Sequence, residues 1–548
     1  MCTGIIVVGL AAAVLALAGA DDRYHPDRGA HSSGGRGWAA GTAAERRAQY
    51  WVQHAQAALA TQHAANGERG KARNVVMFLG DGMSVPTLAA ARTLLGQRNE
   101  GPGEEAQLSF ETFPTAGLSK TYCVDAQIAD SACTSTAYLC GVKANRGTIG
   151  LTGAVPRWNC TASLPAETHL RSIAAWALDD GRDAGIVTTT RVTHASPAGA
   201  FASVANRHWE SDGDVRADGA DPALCPDIAH QLVQQYPGNQ FKVILGGGRR
   251  EFLPVDAVDQ EGKNGTRSDG RNLIEEWKAD KRSHNASHEY VWNRDQLLRV
   301  NASLPEYVLG LFESNHLRYN LLADRDTEPT LTELTEVAIR MLQRNEKGFF
   351  LFVEGGRIDH AHHSNYVELA LDETIELSSA VARASELLSE EDSLLVVTAD
   401  HAHVMAYNGY AQRGSDVLGP SGDADSAGTP YMTLSYANGP GYRPAVDGVR
   451  ADVTLEENYR RDPRWRPHVD VPLSSETHGG DDVAVFARGP HHRVFSGLYE
   501  QSDLPHRMAY AACLGPGLRA CSAAHSIEPI HSLLFIITII VNKLNNII

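Results

Sequence analysis

The sequence predicts an α/β protein: a doubly wound, mostly parallel central sheet flanked by helices, interrupted by one surface insertion. Three observations predict it. Six short apolar, β-branched runs recur, at 74–79 (NVVMFL), 185–190 (GIVTTT), 241–245 (FKVIL), 349–353 (FFLFV), 394–398 (LLVVT) and 483–487 (VAVFA). Continuous apolar runs of this kind suit strands buried on both faces. Helix-like stretches such as 331–345 and 367–389 lie between them, and strand–helix alternation argues a parallel sheet wound on both sides. Finally, three runs lead into acids: Asp81 after the first, Glu354 after the fourth, and Asp400-His401 after the fifth. Ligands of open α/β sheets bind beyond the carboxyl ends of the strands, so these acids point at one crevice, whereas a single such acid is usually a helix cap.

Residues 1–20 form an apolar run closing on Ala18-Gly19-Ala20, which reads as a secretory signal without the usual positive n-region. Residues 21–44, rich in Gly, Ser, Asp and Arg, read as a flexible segment. Residues 45–65 have helical composition and end at Asn66-Gly67. Residues 45–521 then read as one large domain, within which 410–474, rich in Gly, Pro, Asp and Arg, is an insertion between two strands. Residues 522–548 form a tail whose apolar part, 532–541, is too short to span a bilayer.

Composition removes other classes. With 43% hydrophobic and 21% charged residues, the chain is neither disordered, collagenous nor a coiled coil. Its 49 Lys+Arg against 66 Asp+Glu leave −17, which argues against nucleic acid as a partner. An acidic surface repels phosphates, so phosphate chemistry here needs a local cationic site such as metal ions. Eight cysteines become seven once Cys2 leaves with the signal, an odd number that requires a free thiol or an intermolecular bond. No CxxC occurs, which disfavours finger-type zinc. Sequons stand at Asn159, Asn264, Asn285 and Asn301, glycosylation acceptors in an exported chain.

In EGGRIDHAHH (354–363), Asp359 and His363 are four apart and share a helix face, where one cation can bridge them, while His360 and His362 point elsewhere. With the neighbouring acids of Asp400-His401 and of ETHGGDD (476–482), the chain offers His363, His401 and His478 beside carboxylates, a mixture that suits zinc. DSACTSTA (130–137) could open an anion-binding helix or be a plain N-cap; a serine nucleophile there would need a metal to lower its pKa.

The motifs FLGDGM (78–83), DSACTSTAYLCGVK (130–143), TTTRVTHASPAG (188–199), NRHW (206–209), VILGGGR (243–249), FFLFVEGGRIDHAHH (349–363), VTADHAHV (397–404) and ETHGGDDVAVFARGP (476–490), in this order, resemble the alkaline phosphatases, most closely the animal membrane-associated type. The resemblance runs from about Asn74 to Cys521. It implies a metal-dependent phosphate monoester hydrolase of broad specificity, acting through a phosphoserine with two zincs and one magnesium. Ser131 would be the nucleophile and Arg207 the bidentate clamp on phosphoryl oxygens. One zinc falls on Asp359, His363 and His478, the other on Asp81, Ser131, Asp400 and His401. Magnesium falls on Asp81, Ser196 and Glu354, with His194 beyond them. A calcium site is implied at Phe312 (by its carbonyl), Glu313, Glu328 and Glu261; Glu328 stands where the relatives have Asp. The family's bridges match Cys160–Cys225 and Cys513–Cys521. Cys123 and Cys133, not cysteines in vertebrate members, could form an extra bridge, leaving Cys140 free.

Residues 410–474 correspond to the family's crown region, which forms part of the dimer interface, so a homodimer is implied, though the sequence there is divergent. Animal relatives often exchange a C-terminal signal for a glycosylphosphatidylinositol (GPI) anchor. Ser522-Ala523-Ala524, the spacer 525–531 and the apolar 533–541 fit that pattern, with Ser522 as attachment residue and the extracellular face of the cell membrane as destination; a secreted enzyme is the alternative. A sulfatase of the same superfamily would carry Cys in a C-x-P-x-R context, which DSACTS does not match, and a non-catalytic scaffold would be expected to lose ligands that this chain keeps.

Overall fold

The computed structural model describes residues 43–63 and 70–521. The signal, residues 21–42 and the tail from Ser522 lie outside them. Ten strands form one sheet: β1 (Asn74–Gly80), β2 (Thr115–Lys120), β3 (Asp183–Arg191), β4 (Val243–Gly247), β5 (His288–Val291), β6 (Tyr307–Leu311), β7 (Phe349–Gly355), β8 (Ser393–Ala399), β9 (Val483–Arg488) and β10 (Gly497–Glu500). Their order is β10-β2-β9-β8-β1-β7-β3-β4-β6-β5. Only β9 runs against its neighbours, so the sheet is mostly parallel, as the sequence predicts.

The central strands β1, β7 and β8 are buried at every residue. Side chains alternate between faces. Val75, Met77 and Leu79 of β1 join Phe350, Phe352, Leu394 and Val396 in one core cluster. Val76 and Phe78 join Leu351, Val353, Leu395 and Val397 in the other. Helices cover both faces. Ser131–Cys140, Ile173–Asp179 and Leu504–Ala512 contribute Tyr138, Ile173 and Met508 to the first cluster. Leu331–Leu342 and Val367–Leu387 contribute Leu334, Val337, Leu371 and Leu377 to the second. At about 1.5–3 kcal/mol for each large apolar side chain buried, these two layers are the main source of stability.

Register sets up the site. Leu79 of β1 pairs with Glu354 of β7 and Thr398 of β8, and Gly80 pairs with Gly355 and Ala399. Asp81, Glu354 and Asp400 therefore leave the sheet together at its carboxyl end.

Four of these ten strands are not foreseen. β2 (TAGLSK) buries only Thr115 and Ser119, β5 (HEYV) and β10 (GLYE) are four-residue edge strands, and Gly310 interrupts the apolar run of β6. The strand expected at 241–245 starts at Val243 instead, because Phe241 caps the 3-10 turn Gly238–Gln240 with its N–H on the Gly238 carbonyl. Between β8 and β9, Met405–Tyr407, Leu434–Gly439 and Val469–Pro472 form a three-stranded sheet, and Pro420–Ala424 pairs with Pro430–Met432. Met432, Val453 and Trp465 form a small core there. Among the described residues no helix is long and apolar enough to cross a membrane.

Candidate metal centre and active site

Asp81 follows β1 through a turn in which Gly82 has φ +70, and a Cβ on Gly82 would sit 2.4 Å from the His403 ring. Only glycine fits that position. Its N–H donates to Asp400 Oδ1 at 2.9 Å, tying two strand ends together. Asp359 and His363 project from the short helix Arg357–His363, which follows β7.

Three groups of donors converge. In the first, His363 Nε2 lies 3.2 Å and His478 Nε2 3.3 Å from Asp359 Oδ1. The other ring nitrogens are committed: His363 Nδ1–H donates to the Glu476 carbonyl at 2.5 Å and His478 Nδ1–H to the Ala129 carbonyl at 2.7 Å. That fixes the tautomer, so both Nε2 atoms, 3.1 Å apart, present lone pairs to one carboxylate. Burial and the neighbouring His401 pull His478 down to about 3, so its imidazole is neutral.

In the second group, His401 Nε2 stands 3.0 Å from Asp400 Oδ2, 3.4 Å from Asp81 Oδ1 and 3.2 Å from Ser131 Oγ. The His401 and His478 rings stack at 3.5 Å, joining the two groups. In the third, Ser196 Oγ donates to Asp81 Oδ2 at 3.3 Å. Glu354 Oε2 accepts from Thr190 at 3.1 Å and from Thr188. Asp81, His194 and Glu354 each bring a donor atom within 4.8 Å of the others.

These groups fit divalent cations. Asp81, Glu354, Asp359, Asp400 and His401 are fully buried. Among the described residues, Glu354 Oε1, Asp359 Oδ2 and His401 Nδ1 have no hydrogen-bond partner. Burial, then the carboxylates of Asp400, Asp359 and Glu354, push Asp81 well above the usual carboxylate range, and burial foremost pushes Glu354 up to about 7. Crowded buried carboxylates with orphaned oxygens lack positive charge, and metal ions supply it. His/Asp sets suit zinc, and the all-oxygen set of Asp81, Ser196 and Glu354 suits magnesium.

Ser131 opens the helix Ser131–Cys140, capped by Asp130. Asp130 Oδ1 accepts the N–H groups of Cys133 (3.2 Å) and Gly147 (3.0 Å). Its Oδ2 accepts Arg207 Nη1–H at 3.0 Å. Arg207, 3% exposed, also faces His194 Nε2 through Nη2 at 3.3 Å. Burial opposes ionisation of Asp130, but Arg207 outweighs it and holds the carboxyl well below the usual range.

Sequence reasoning missed Asp130, His403 and Glu476. His403 Nε2 lies 2.7 Å from Asp359 Oδ1 and its Nδ1 2.5 Å from Glu476 Oε2. Burial pulls His403 down, yet the carboxylates of Glu476 and Asp359 outweigh it and push it up to about 10. The available signal was spacing by two: His403 stands two residues after His401 and Glu476 two before His478, next to the two-residue strands Ala402–His403 and His478–Gly479 in which His478 pairs with His403. His360 and His362 do point elsewhere: His362 meets Thr87 and Tyr436, and His360 meets Arg357.

The remaining expected residues lie apart from these three groups. Arg318 Nε lies 3.3 Å from both Glu313 Oε1 and Glu328 Oε1, whereas Glu261 is held by Arg249 at 2.9 Å. Burial, then Glu328 and Glu261, push Glu313 up to about 7. Phe312 spends its N–H on the Gly246 carbonyl. Cys123–Cys133 and Cys160–Cys225 are bonded, and Cys140 is a buried free thiol. Cys513 and Cys521, the expected bridge, are not bonded but lie together: Cys513 ends its helix in a left-handed conformation, its sulfur accepts the Cys521 N–H at 3.0 Å, and the two side chains hydrogen-bond to each other. Asn159, Asn264 and Asn285 are exposed. The Asn301 side chain and Ser522 lie outside the described part of the chain.

A family profile described as alkaline phosphatase matches residues 72–514. The membrane-bound alkaline phosphatase of Bombyx mori is 62% identical over 512 residues, 93% of this chain and 92% of that one. The alkaline phosphatase of Gadus morhua is 47% identical over 455 residues, covering 82% and 93% of the two chains. The tissue-nonspecific isozyme of Gallus gallus is 46% identical over 490 residues, covering 88% and 92%. Among solved structures, the Thermus thermophilus alkaline phosphatase superposes with a TM-score of 0.58 at 24% identity, covering 82% of this chain and 93% of that one, and so shares the fold. Matched at these identities over most of its length, the chain belongs to the alkaline phosphatase family, the metal-dependent phosphomonoesterases.

Proposed function

We propose that this enzyme hydrolyses phosphate monoesters of broad specificity through a phosphoserine on Ser131, with two zinc ions and one magnesium. The observation that carries the proposal is the position of Ser131 Oγ, buried at a helix start within 3.5 Å of both His401 Nε2 and Asp81 Oδ1. Asp359, His363 and His478 would hold one zinc, Asp81, Asp400, His401 and Ser131 the other, and Asp81, Ser196 and Glu354 magnesium, with His194 behind them. When bound, these ions supply positive charge at the attacking and leaving oxygens of an in-line displacement and at the phosphoryl oxygens.

Ser131 Oγ, its hydroxyl proton lost, attacks phosphorus; the Oγ–P bond forms as the ester P–O bond breaks, and the alcohol leaves with a proton. Water then attacks the phosphoserine in line and gives up a proton; the Oγ–P bond breaks, Ser131 Oγ takes up a proton, and inorganic phosphate departs. Two inversions give net retention at phosphorus. Arg207 grips two phosphoryl oxygens with the N–H groups not taken by Asp130 and His194. Recognition ends at the phosphoryl group, so the alcohol is free to vary. Ser131→Ala should lose most of its turnover while keeping metal and fold, and acid-trapped labelled phosphate should map to Ser131; label on another residue, or near-normal turnover by the variant, refutes the nucleophile.

A homodimer joined in part through residues 410–474, and a GPI anchor at Ser522 on the extracellular face, are implied by the same resemblance. The name of the Bombyx mori relative, membrane-bound, supports the second. Exposure of Asn159, Asn264 and Asn285 suits glycosylation in that compartment. A calcium ion on Phe312, Glu313, Glu328 and Glu261 would take over the counter-charge that Arg318 and Arg249 provide.

A further inference from the structure

We infer that the Cys123–Cys133 disulfide positions Arg207 for phosphate recognition, acting through Asp130; this rests on reading Arg207 as the phosphate clamp.

The bridge joins residues ten apart in sequence, with Cα atoms 5.8 Å apart. It closes the stretch that ends on Asp130 and Ser131, and no helix or strand lies within that stretch between β2 and the helix Ser131–Cys140. Apolar packing around it is slight: Cys123, Cys133, Ala129 and Ala144 form a separate small cluster with only Ala126 packed against it. Asp125, Gln127 and Ile128 are exposed. Cys123 N–H donates to the Ala126 carbonyl (3.0 Å) and Val124 N–H to the Ala144 carbonyl (2.9 Å), Lys143 Nζ to the Tyr122 carbonyl (2.8 Å), Arg146 N–H to Asp125 Oδ1 (2.8 Å) and His478 Nδ1–H to the Ala129 carbonyl (2.7 Å). The covalent link adds to these ties a direct connection from the loop to the first turn of the helix, at Cys133.

Cys133 makes two attachments at once. Its sulfur closes the bridge, and its N–H donates to Asp130 Oδ1. The same carboxylate, through Oδ2, holds Arg207 Nη1. The chain of contacts thus runs from the bridge through the Cys133 backbone and Asp130 to the guanidinium, every member being buried at 3% exposure or less. A bidentate grip depends on the orientation of a planar group, so a small tilt weakens it disproportionately. Ser131 lies on the same helix turn, but metal ligands from several strands surround its Oγ, so loosening the loop should affect phosphate affinity more than the chemical step.

The test is the full-length Cys123→Ser/Cys133→Ser enzyme, saturated with zinc and magnesium and assayed well below its melting temperature. The inhibition constant of inorganic phosphate and KM should rise together by about three- to tenfold, with kcat changed by less than about twofold. In an Arg207→Lys background the loss of the bridge should add little, because both changes act on one contact chain. An unchanged phosphate inhibition constant with a lowered melting temperature would make the bridge a plain staple and overturn the inference. If Arg207→Lys itself leaves phosphate inhibition unchanged, the clamp reading fails, and the inference with it; if Arg207→Lys weakens phosphate but removing the bridge does not, the inference alone fails.

Should the double variant not be secreted, the wild-type enzyme can be treated with a trialkylphosphine. The phosphine takes oxygen from one water and becomes its oxide, and the two hydrogens end on the two sulfurs. Phosphate affinity should then fall in proportion to alkylation of Cys123 and Cys133 found by peptide mapping, at unchanged metal content. Full alkylation of both with unaltered phosphate affinity overturns the inference equally.

Discussion

Glu373 should make the fold weaker in alkali, and Glu373→Gln should remove that weakness. The residue sits in the helix Val367–Leu387, 2% exposed, with Oε1 accepting the Asn320 N–H at 2.6 Å. Burial pushes its carboxyl from 4.5 up to about 8, against the opposing pull of the Asn320 N–H and Arg357. The folded state therefore holds a proton that the unfolded chain releases near pH 4.5. Stability from this group is complete below that pH, falls as pH rises through the window, and is gone above about 8. At about 1.4 kcal/mol per pH unit, the ionised carboxylate costs on the order of 5 kcal/mol in alkali. Glutamine mimics the protonated acid in shape and keeps a carbonyl for Asn320. Paired urea unfolding of wild type and variant, both with metals added, should give similar midpoints at pH 5 and a more stable variant at pH 9. Comparing the two proteins at each pH cancels any pH dependence of metal binding common to both. A variant no more stable than wild type at pH 9, or a difference of equal size at both values, refutes the reasoning.

Two further outcomes bear on the metal groups. Dialysis against a chelator should abolish p-nitrophenyl phosphate hydrolysis and lower the melting temperature, since Asp81, Glu354, Asp359 and Asp400 would face one another fully buried without cations; zinc plus magnesium should restore both, and a metal-free enzyme with full activity would exclude the assignment. His403→Ala should weaken zinc retention by about 10–100-fold in chelator competition, because Asp359 Oδ1 loses its 2.7 Å partner; unchanged retention would make His403 a bystander.

The features legible in the sequence divide from the rest along a physical line. β1, β7 and β8 are legible because each is buried at every residue and so carries an uninterrupted apolar run. β2, β5 and β10 lie toward the sheet edges, where partial exposure admits polar residues and erases the pattern. Asp81, Glu354 and Asp400 are legible because parallel strands in register must deliver the residues at their carboxyl ends to one side of the sheet, and Asp359 with His363 because a helix repeats nearly every four residues. In each case a local rule supplies the geometry.

Other contacts have no local rule. Asp130 and Arg207 are 77 residues apart, and His403 and Glu476 are 73 apart; each pair meets only once the sheet has closed. These are the contacts that orient the others. Asp130 aims Arg207, and Glu476 holds the histidine that holds Asp359. Gly82 shows the dependence from the opposite side. In the fold a Cβ on Gly82 would collide with the ring of His403, more than 300 residues away in sequence. Motifs thus reveal which groups can bind metal and phosphate. Their alignment depends on partners remote in sequence, so substitutions at Asp130, His403 or Glu476 should impair function while leaving every motif residue assigned to metal or phosphate in place.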